Sequence, residues 1–138
     1  MEFKYLPKSE KQLRKNYSDR LRENLNGFAD FEDFLSWYNS QEKICHYCKL
    51  TEIESQELVM TGLLNSNRFP QNGIIGRGTS RGVWLEVDRL NPKGKYSRTN
   101  SVLCCYFCNN DKSDVFDSEN YLKFRQNRIE FLREKLKK

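Results

Sequence analysis

The sequence lacks a long apolar run, a signal-peptide core, an internal repeat and a low-complexity tract. No stretch approaches the roughly 18 consecutive apolar residues that a membrane-spanning helix needs, which argues against a membrane partner. The first residues, MEFKYLPKSEK, lack the apolar segment of a signal peptide, so we expect a cytoplasmic protein. Only 37% of the 138 residues are hydrophobic, so a bound metal would add useful stability to a modest core.

The chain is basic, with a net charge of +5 and a pI near 9.0. This balance suits a polyanionic partner such as nucleic acid without proving one. The five cysteines, in a chain without a recognisable export signal, indicate a reducing compartment and metal binding rather than disulfides.

Four of the cysteines form two Cys-x-x-Cys pairs, Cys45 with Cys48 and Cys105 with Cys108. Two such pairs close a tetrahedron around zinc, and a site with four protein ligands leaves no open position for water. We therefore predict a structural zinc. Cys104 has the wrong spacing from Cys108 for a knuckle and is expected to be buried and unligated. His46, the only histidine, lies inside the first pair, where an incidental or supporting role is favoured, although a catalytic role stays open.

Apolar periodicity predicts three helices before the second cysteine pair. The first covers residues 7–26 and stops at Gly27, the second covers residues 30–39, and a short third helix is indicated within residues 52–64. A C-terminal helix starts at Asp117 or Ser118. We predict one domain over residues 1–138, with a helical part (1–40), a zinc-knuckle core (41–116) and a C-terminal helix (117–138).

Residues 65–82 are rich in glycine, proline and arginine and predict a flexible loop. Arginine suits guanine edges and phosphate oxygens, although an ordinary solvated loop explains the composition equally well. The candidate DNA-binding residues of this loop and of the next one are Arg68, Arg77, Arg81, Lys93, Lys95 and Arg98.

The stretch from residue 83 to residue 112 organises the rest of the chain. Its first residues alternate, with Val83, Leu85 and Val87 on one side, as in a strand with one buried face. A loop, a short return strand at residues 101–103 and a helix after the second cysteine pair follow. This order is expected to bring Asp88 and Asn109 together. Carboxylate and amide oxygens are the ligands that Mg²⁺ or another hard divalent ion prefers, so the pair is a candidate catalytic metal site.

The order Cys-x-x-Cys, Val-Asp-Arg, Asn, Cys-x-x-Cys-Asn-x-x-Lys resembles the HNH (ββα-metal) endonucleases. The resemblance runs from residue 34 to residue 116 through FLSWY, CHYC, LEVDRL, GKYS, Asn100, CYFCNN, Lys112 and SDVF. It implies an α+β fold: a small zinc-stabilised ββα core with flanking N- and C-terminal helices. Asn100 would brace the loop. Because the chain lacks the additional N-terminal cysteine pairs of a relative in that family, we expect one zinc per chain.

Arg89 departs from the family pattern, which has a histidine there as the general base. An arginine stays protonated at neutral pH, so Arg89 is expected to clamp the scissile phosphate instead. Tyr96 is the first candidate for the missing base, and metal-activated water without a protein base is the second. Lys112, one helical turn after Asn109, is expected to touch a backbone phosphate.

These features predict a sequence-specific, divalent-metal-dependent DNA endonuclease, with a type II restriction enzyme favoured. The alternatives are a homing or mobile-element endonuclease, including one that nicks a single strand, and a catalytically inactive zinc-stabilised nucleic-acid-binding module. A protein-interaction zinc knuckle is a third, less favoured reading. Since one such centre cuts one strand, we expect a homodimer on a palindromic double-stranded DNA site.

Overall fold

The computed structural model describes residues 3–126. Its helices and strands are α1 (Glu10–Arg22), α2 (Phe31–Ser40), α3 (Glu52–Met60), β1 (Glu86–Arg89), β2 (Ser101–Cys104) and α4 (Tyr106–Lys112). Residues 118–126 are also helical. No helix within the described part of the chain is both long and apolar enough to cross a membrane.

The first helix is shorter than predicted. A capping box at Ser9 starts α1, since the Ser9 side chain accepts from the Gln12 backbone while the Gln12 side chain accepts from the Ser9 backbone. The helix ends at Arg22, five residues before Gly27, so the prediction that Gly27 stops it was wrong. Gly27 is required for a close approach instead, because an added Cβ would lie 2.7 Å from the carbonyl oxygen of Tyr96.

The second helix matches its predicted range to within a residue, and Asp30 caps it. It packs on α1 and supplies Phe34, Trp37 and Tyr38 to the main core. Trp37 is only 3% exposed and is therefore a core residue.

The third helix buries a polar face. Ser55 and Gln56 are fully buried and donate to the carbonyl oxygens of Gly82 and Val83, at 2.6 and 3.0 Å. The carboxylate of Glu52 accepts from the backbone N–H of Leu85 at 2.9 Å. These side chains hold residues 82–85 by their main chain just before β1. Apolar periodicity could not find this role because the buried side is polar.

Strand β1 is shorter than the alternating pattern predicted. It pairs antiparallel with β2, with Asp88 opposite Val102 and Arg89 opposite Ser101. Residues 83–85 precede the strand, and Trp84 is buried in a second cluster with Val83, Phe69 and Tyr106 instead of facing the opposite side from Val83. Tertiary packing on α3 thus replaces the start of the predicted strand.

The C-terminal helix begins where the sequence predicted, since the Asp117 carboxylate accepts from the Asn120 backbone at 2.8 Å. Tyr121 anchors it, fully buried against Tyr47 and Phe116. The apolar pattern of this segment predicts one buried face with Leu122, Ile129, Leu132 and Leu136, but Leu122 is 42% exposed. The other predicted positions of that face, Ile129, Leu132 and Leu136, lie outside the described residues.

Candidate active site

The two Cys-x-x-Cys pairs meet in the fold. The Sγ atoms of Cys45, Cys48, Cys105 and Cys108 all lie within 4.8 Å of one another. The Cys48 and Cys105 sulfurs are 3.6 Å apart, close to the roughly 3.8 Å edge of a tetrahedron with Zn–S bonds of about 2.3 Å. The donor set therefore fits a tetrahedral zinc with no position left for water. Such an ion would fasten the 45–48 turn to the start of α4.

Cys104 and His46, the two other residues discussed with the cysteine pairs, differ in exposure. Cys104 is fully buried, lies outside the four-sulfur group and donates its thiol to the carbonyl of Cys105 at 3.3 Å. His46 is exposed, and its ring packs edge-on against Tyr47 at 5.0 Å. It does not line the cleft described below.

The facing sides of β1 and α4 carry two pairs of polar residues. Asn109 donates its amide to the Glu86 carboxylate at 2.6 Å. One helical turn further on, the Lys112 ammonium lies 3.2 Å from the Asp88 carboxylate and donates to the carbonyl of Arg89 at 3.0 Å. Glu86 and Asp88 are two residues apart and point to the same face of the strand, and Asn109 and Lys112 share one face of the helix. The structure therefore pairs Asn109 with Glu86 and not with Asp88.

Asp88 is largely enclosed, at 7% exposure, and Tyr47 donates to it at 3.3 Å. Burial raises the pKa of Asp88 above its usual value, while the Lys112 charge acts in the opposite direction. The carboxylate of Asp88 is compensated by a buried ammonium, whereas Glu86 pairs with Arg81, whose side chain is 45% exposed.

Lys112 is the clearest correction to the predicted site. It is 0% exposed and bound to Asp88 and to the main chain, so it does not reach a DNA phosphate in this arrangement. From the sequence alone, a lysine one turn after Asn109 can face either the solvent or the neighbouring strand. In the fold, α4 lies so close to β1 that Lys112 faces the strand.

The loop between the strands is fixed by Asn100. Its side-chain amide donates to the carbonyls of Asn91 and Lys95 at 3.1 and 2.9 Å, and its oxygen accepts from the Asn91 backbone at 2.9 Å. These are the loop-bracing contacts that the resemblance implied.

Arg89 and Tyr96 are neighbours. The Arg89 guanidinium lies over the Tyr96 ring at 4.9 Å and donates to the carbonyl of Gly94 at 3.0 Å. Arg20 of α1 lies over the same ring at 4.3 Å. The structure thus brings Arg89 and Tyr96 together and places Arg20, a cation of α1, beside them.

A cleft of about 450 Å³ opens between α1 and the ββα unit. Glu86, Asn109 and Tyr96 line it, together with Lys8, Lys15, Arg20 and Arg81. Glu86 is therefore the carboxylate that faces an accessible, cationic space. Glu86 was not among the predicted site residues, although its position two residues before Asp88 already placed it on the same strand face.

The predicted DNA-binding residues have different surroundings. Arg81 forms a two-pronged ion pair with Glu86 at 2.9 and 3.0 Å, and Arg68 donates to the Tyr106 hydroxyl at 2.8 Å. Arg98 pairs with Asp33 of α2 at 2.8 Å, which makes it an internal tie between the loop and α2. The remaining three, Arg77, Lys93 and Lys95, are exposed.

The Asp88–Lys112 pair leads to a stability prediction. Replacing Asp88 with alanine strands a buried ammonium and is expected to lower the free energy of unfolding by about 3–5 kcal/mol. The double variant Asp88→Ala with Lys112→Met, which removes both charges, is expected to recover much of that loss. Urea denaturation of the two variants measures both quantities. Wild-type stability of the Asp88→Ala variant alone would contradict the buried pair.

Together, β1, β2 and α4 form a ββα unit held by a four-cysteine cluster, flanked by α1 and α2 on the N-terminal side and by the helix that begins at residue 118 on the other. No protein-family model and no curated protein matches the chain. Its structure is similar to that of the rare-cutting HNH restriction endonuclease PacI, solved in a study of how that enzyme perturbs DNA. The TM-score is 0.59 at 24% sequence identity, and the match covers 81% of this chain and 70% of the PacI chain. This similarity confirms the predicted α+β fold with its small ββα core.

Proposed function

We propose that this protein is a divalent-metal-dependent DNA endonuclease that hydrolyses phosphodiester bonds at the cleft between α1 and the ββα unit. The observation that carries the proposal is the joining of Glu86 and Asn109 at the cationic cleft, on a ββα unit that the cysteine cluster holds in place. Similarity of the fold to an HNH endonuclease supports the same reading.

The residues of the cleft fit a hard divalent ion such as Mg²⁺. Glu86 supplies an anionic oxygen. Asn109 uses its amide nitrogen for Glu86, so its Oδ1 is the amide atom that can act as a metal ligand. An ion held by these oxygens would stabilise the negative charge that grows on the phosphate and on the leaving oxygen. Asp88 then supports the site from beneath, through Lys112.

The roles of Arg89 and Tyr96 follow from chemistry and position. Arg89 is a permanent cation at the edge of the strand and would stabilise the charge of the phosphate. Tyr96, which lines the cleft, is the protein group that we propose to accept a proton from the attacking water. The alternative is a metal-activated water that needs no protein base. The variant Tyr96→Phe distinguishes the two, because only a protein base at Tyr96 requires the hydroxyl.

We further propose a type II restriction enzyme acting in the cytoplasm as a homodimer on a palindromic site. The chain has one Glu86–Asn109 pair, so cutting both strands in one encounter takes two chains, and a two-fold dimer matches a two-fold site. The exposed cations Arg77, Lys93 and Lys95 would contribute to salt-dependent contact with the DNA backbone. The structural zinc is proposed at one ion per chain.

A plasmid and genomic-DNA digest with purified protein tests this function. With Mg²⁺ we expect discrete linear fragments, and with EDTA and no added divalent ion we expect uncut DNA. If open-circular plasmid is the end product, the protein is a nicking, homing-type enzyme and not a dimeric restriction enzyme. Intact DNA in Mg²⁺ and in Mn²⁺, from folded protein that still binds it, would leave a nucleic-acid-binding module.

A further inference from the structure

The wall of the cleft that α1 and the segment before it supply carries two cations without an ion-pair partner in the described part of the chain. Two of the four cations of the cleft have a carboxylate partner: Lys15 pairs with Asp19 at 3.0 Å, and Arg81 pairs with Glu86. Lys8 and Arg20 form no ion pair within residues 3–126, and both are partly buried.

Arg20 has an unused donor. Its Nη1 atom is buried and has no hydrogen-bond partner among the described residues. Leaving a buried charged donor unsatisfied is costly, and in folded proteins such a donor usually has a partner. The guanidinium is held over the Tyr96 ring, in the cleft that also contains Glu86 and Asn109. Its position and its unused donor fit an anion that enters from the cleft.

The contacts around both cations are fixed by the fold. Leu6 is clamped by Gln56, which accepts from its N–H at 2.7 Å and donates to its carbonyl at 2.9 Å, and Trp84 donates to the same carbonyl at 2.8 Å. This clamp places Lys8 two residues later at the cleft. The end of α1 is tied to Tyr96 by main-chain hydrogen bonds from Tyr96 to Leu25 and from Gly27 to Tyr96, at 2.9 and 2.6 Å.

The pKa of Lys8 reflects its burial and the nearby charge of Arg20. Burial, followed by the charge of Arg20, lowers the pKa of Lys8 to about 8, although Glu86 and Glu52 act to raise it. An anion beside the two cations would remove part of their mutual repulsion and favour the charged form of Lys8.

We propose that Lys8 and Arg20 form an anion site that binds the scissile phosphate of DNA opposite Glu86 and Asn109. The identity of the anion rests on the proposed function. Planar guanidinium groups bind phosphate through two donors, and Lys8 adds a point charge. The first helix would then be a wall of the active site and not a solvated attachment to it.

Calorimetric titration with inorganic phosphate, without divalent ions, tests the site independently of cleavage. Arg20→Gln and Lys8→Gln are each expected to weaken phosphate binding roughly tenfold or more, as for loss of a charge-assisted hydrogen bond. Arg22→Gln is the matched control, because Arg22 is exposed, pairs with Asp19 and lies outside the cleft, yet its loss changes the net charge equally. Thermal melting shows whether each variant is folded. If Arg20→Gln does not fold, Lys8→Gln still tests the site.

Cleavage of DNA in Mg²⁺ by the same variants separates this site from the proposed function. If the wild type cuts DNA, both cleft variants should lose at least tenfold in kcat/KM while Arg22→Gln keeps wild-type cleavage. Unchanged cleavage by folded Lys8→Gln would overturn the proposal, as would wild-type protein that binds no phosphate or an equal loss of phosphate binding in Arg22→Gln. Selective phosphate binding in a wild type that cuts no DNA would support the anion site and contradict the endonuclease.

Discussion

Replacing Cys45 or Cys105 with serine is expected to leave the protein unfolded or aggregated. The apparent free energy of binding a structural zinc through such ligands is about 10–16 kcal/mol at neutral pH in small zinc domains. That is comparable to the whole stability of an ordinary domain, about 5–15 kcal/mol. The four sulfurs join the 45–48 turn to α4, and α4 supplies Asn109 and Lys112 to the site.

Of the two variants, Cys105→Ser tests the role of the metal more specifically. Cys105 also caps α4, and its sulfur accepts from the Cys108 backbone at 3.4 Å. Serine is itself a good N-cap, so this contact is preserved in kind and the loss is attributable to the metal.

Cys104→Ser is the matched control for both variants. Cys104 is as buried as Cys45 but lies outside the sulfur cluster, and a serine hydroxyl retains a partner in the Cys105 carbonyl. We expect this variant to fold with a loss of about 0.5–3 kcal/mol, the ordinary range for a single substitution. Elemental analysis should find about one zinc in the wild type and in Cys104→Ser. Soluble, folded protein without zinc would contradict the structural ion.

The elements that the sequence predicted well are those with strong local signals. Asp30 and Asp117 start helices where an N-cap residue precedes an apolar pattern, and the spacing of the two Cys-x-x-Cys pairs indicated that four sulfurs meet. Zinc geometry demands two ligands per tight turn, so this long-range contact could be derived from local spacing.

The misses arose where tertiary contacts override local pattern. Nothing near Lys112 in sequence shows that α4 lies against β1 closely enough to bury an ammonium beside Asp88. The polar inner face of α3 is invisible to apolar periodicity, yet it holds Gly82, Val83 and Leu85 and so shortens the strand. Both of these misses are buried polar contacts, and a buried polar contact needs a partner that only the fold supplies.

The α1 wall of the cleft also depends on tertiary contacts. From the sequence alone, either a solvated helix face or contact with phosphate explains the charge of Arg20. Its relation to Tyr96 depends on a chain crossing at Gly27, where the backbone passes too close to the loop for a side chain.

Glu86→Gln is expected to abolish most DNA cleavage while DNA affinity stays near that of the wild type. The substitution keeps the shape of the side chain and removes the accessible anionic oxygen that faces the cleft. A loss on the order of a hundred- to a thousand-fold in the cleavage rate is reasonable for the removal of one charge-stabilising group. Asn109→Ala should give a similar loss, because it removes the Oδ1 that we assign to the same ion.

Single-turnover cleavage across a Mg²⁺ titration measures this effect, with Glu57→Gln on the exposed side of α3 as the matched loss of one carboxylate. Raising Mg²⁺ should partly restore Glu86→Gln if the carboxylate acts by holding the ion, and Glu57→Gln should follow the wild-type curve. Asp88→Asn is the decisive comparison, since asparagine can still accept from Lys112. Should a folded Asp88→Asn variant lose all cleavage while Glu86→Gln cuts normally, the ion belongs to Asp88, and the Lys112 ammonium must move away from that carboxylate when the ion binds.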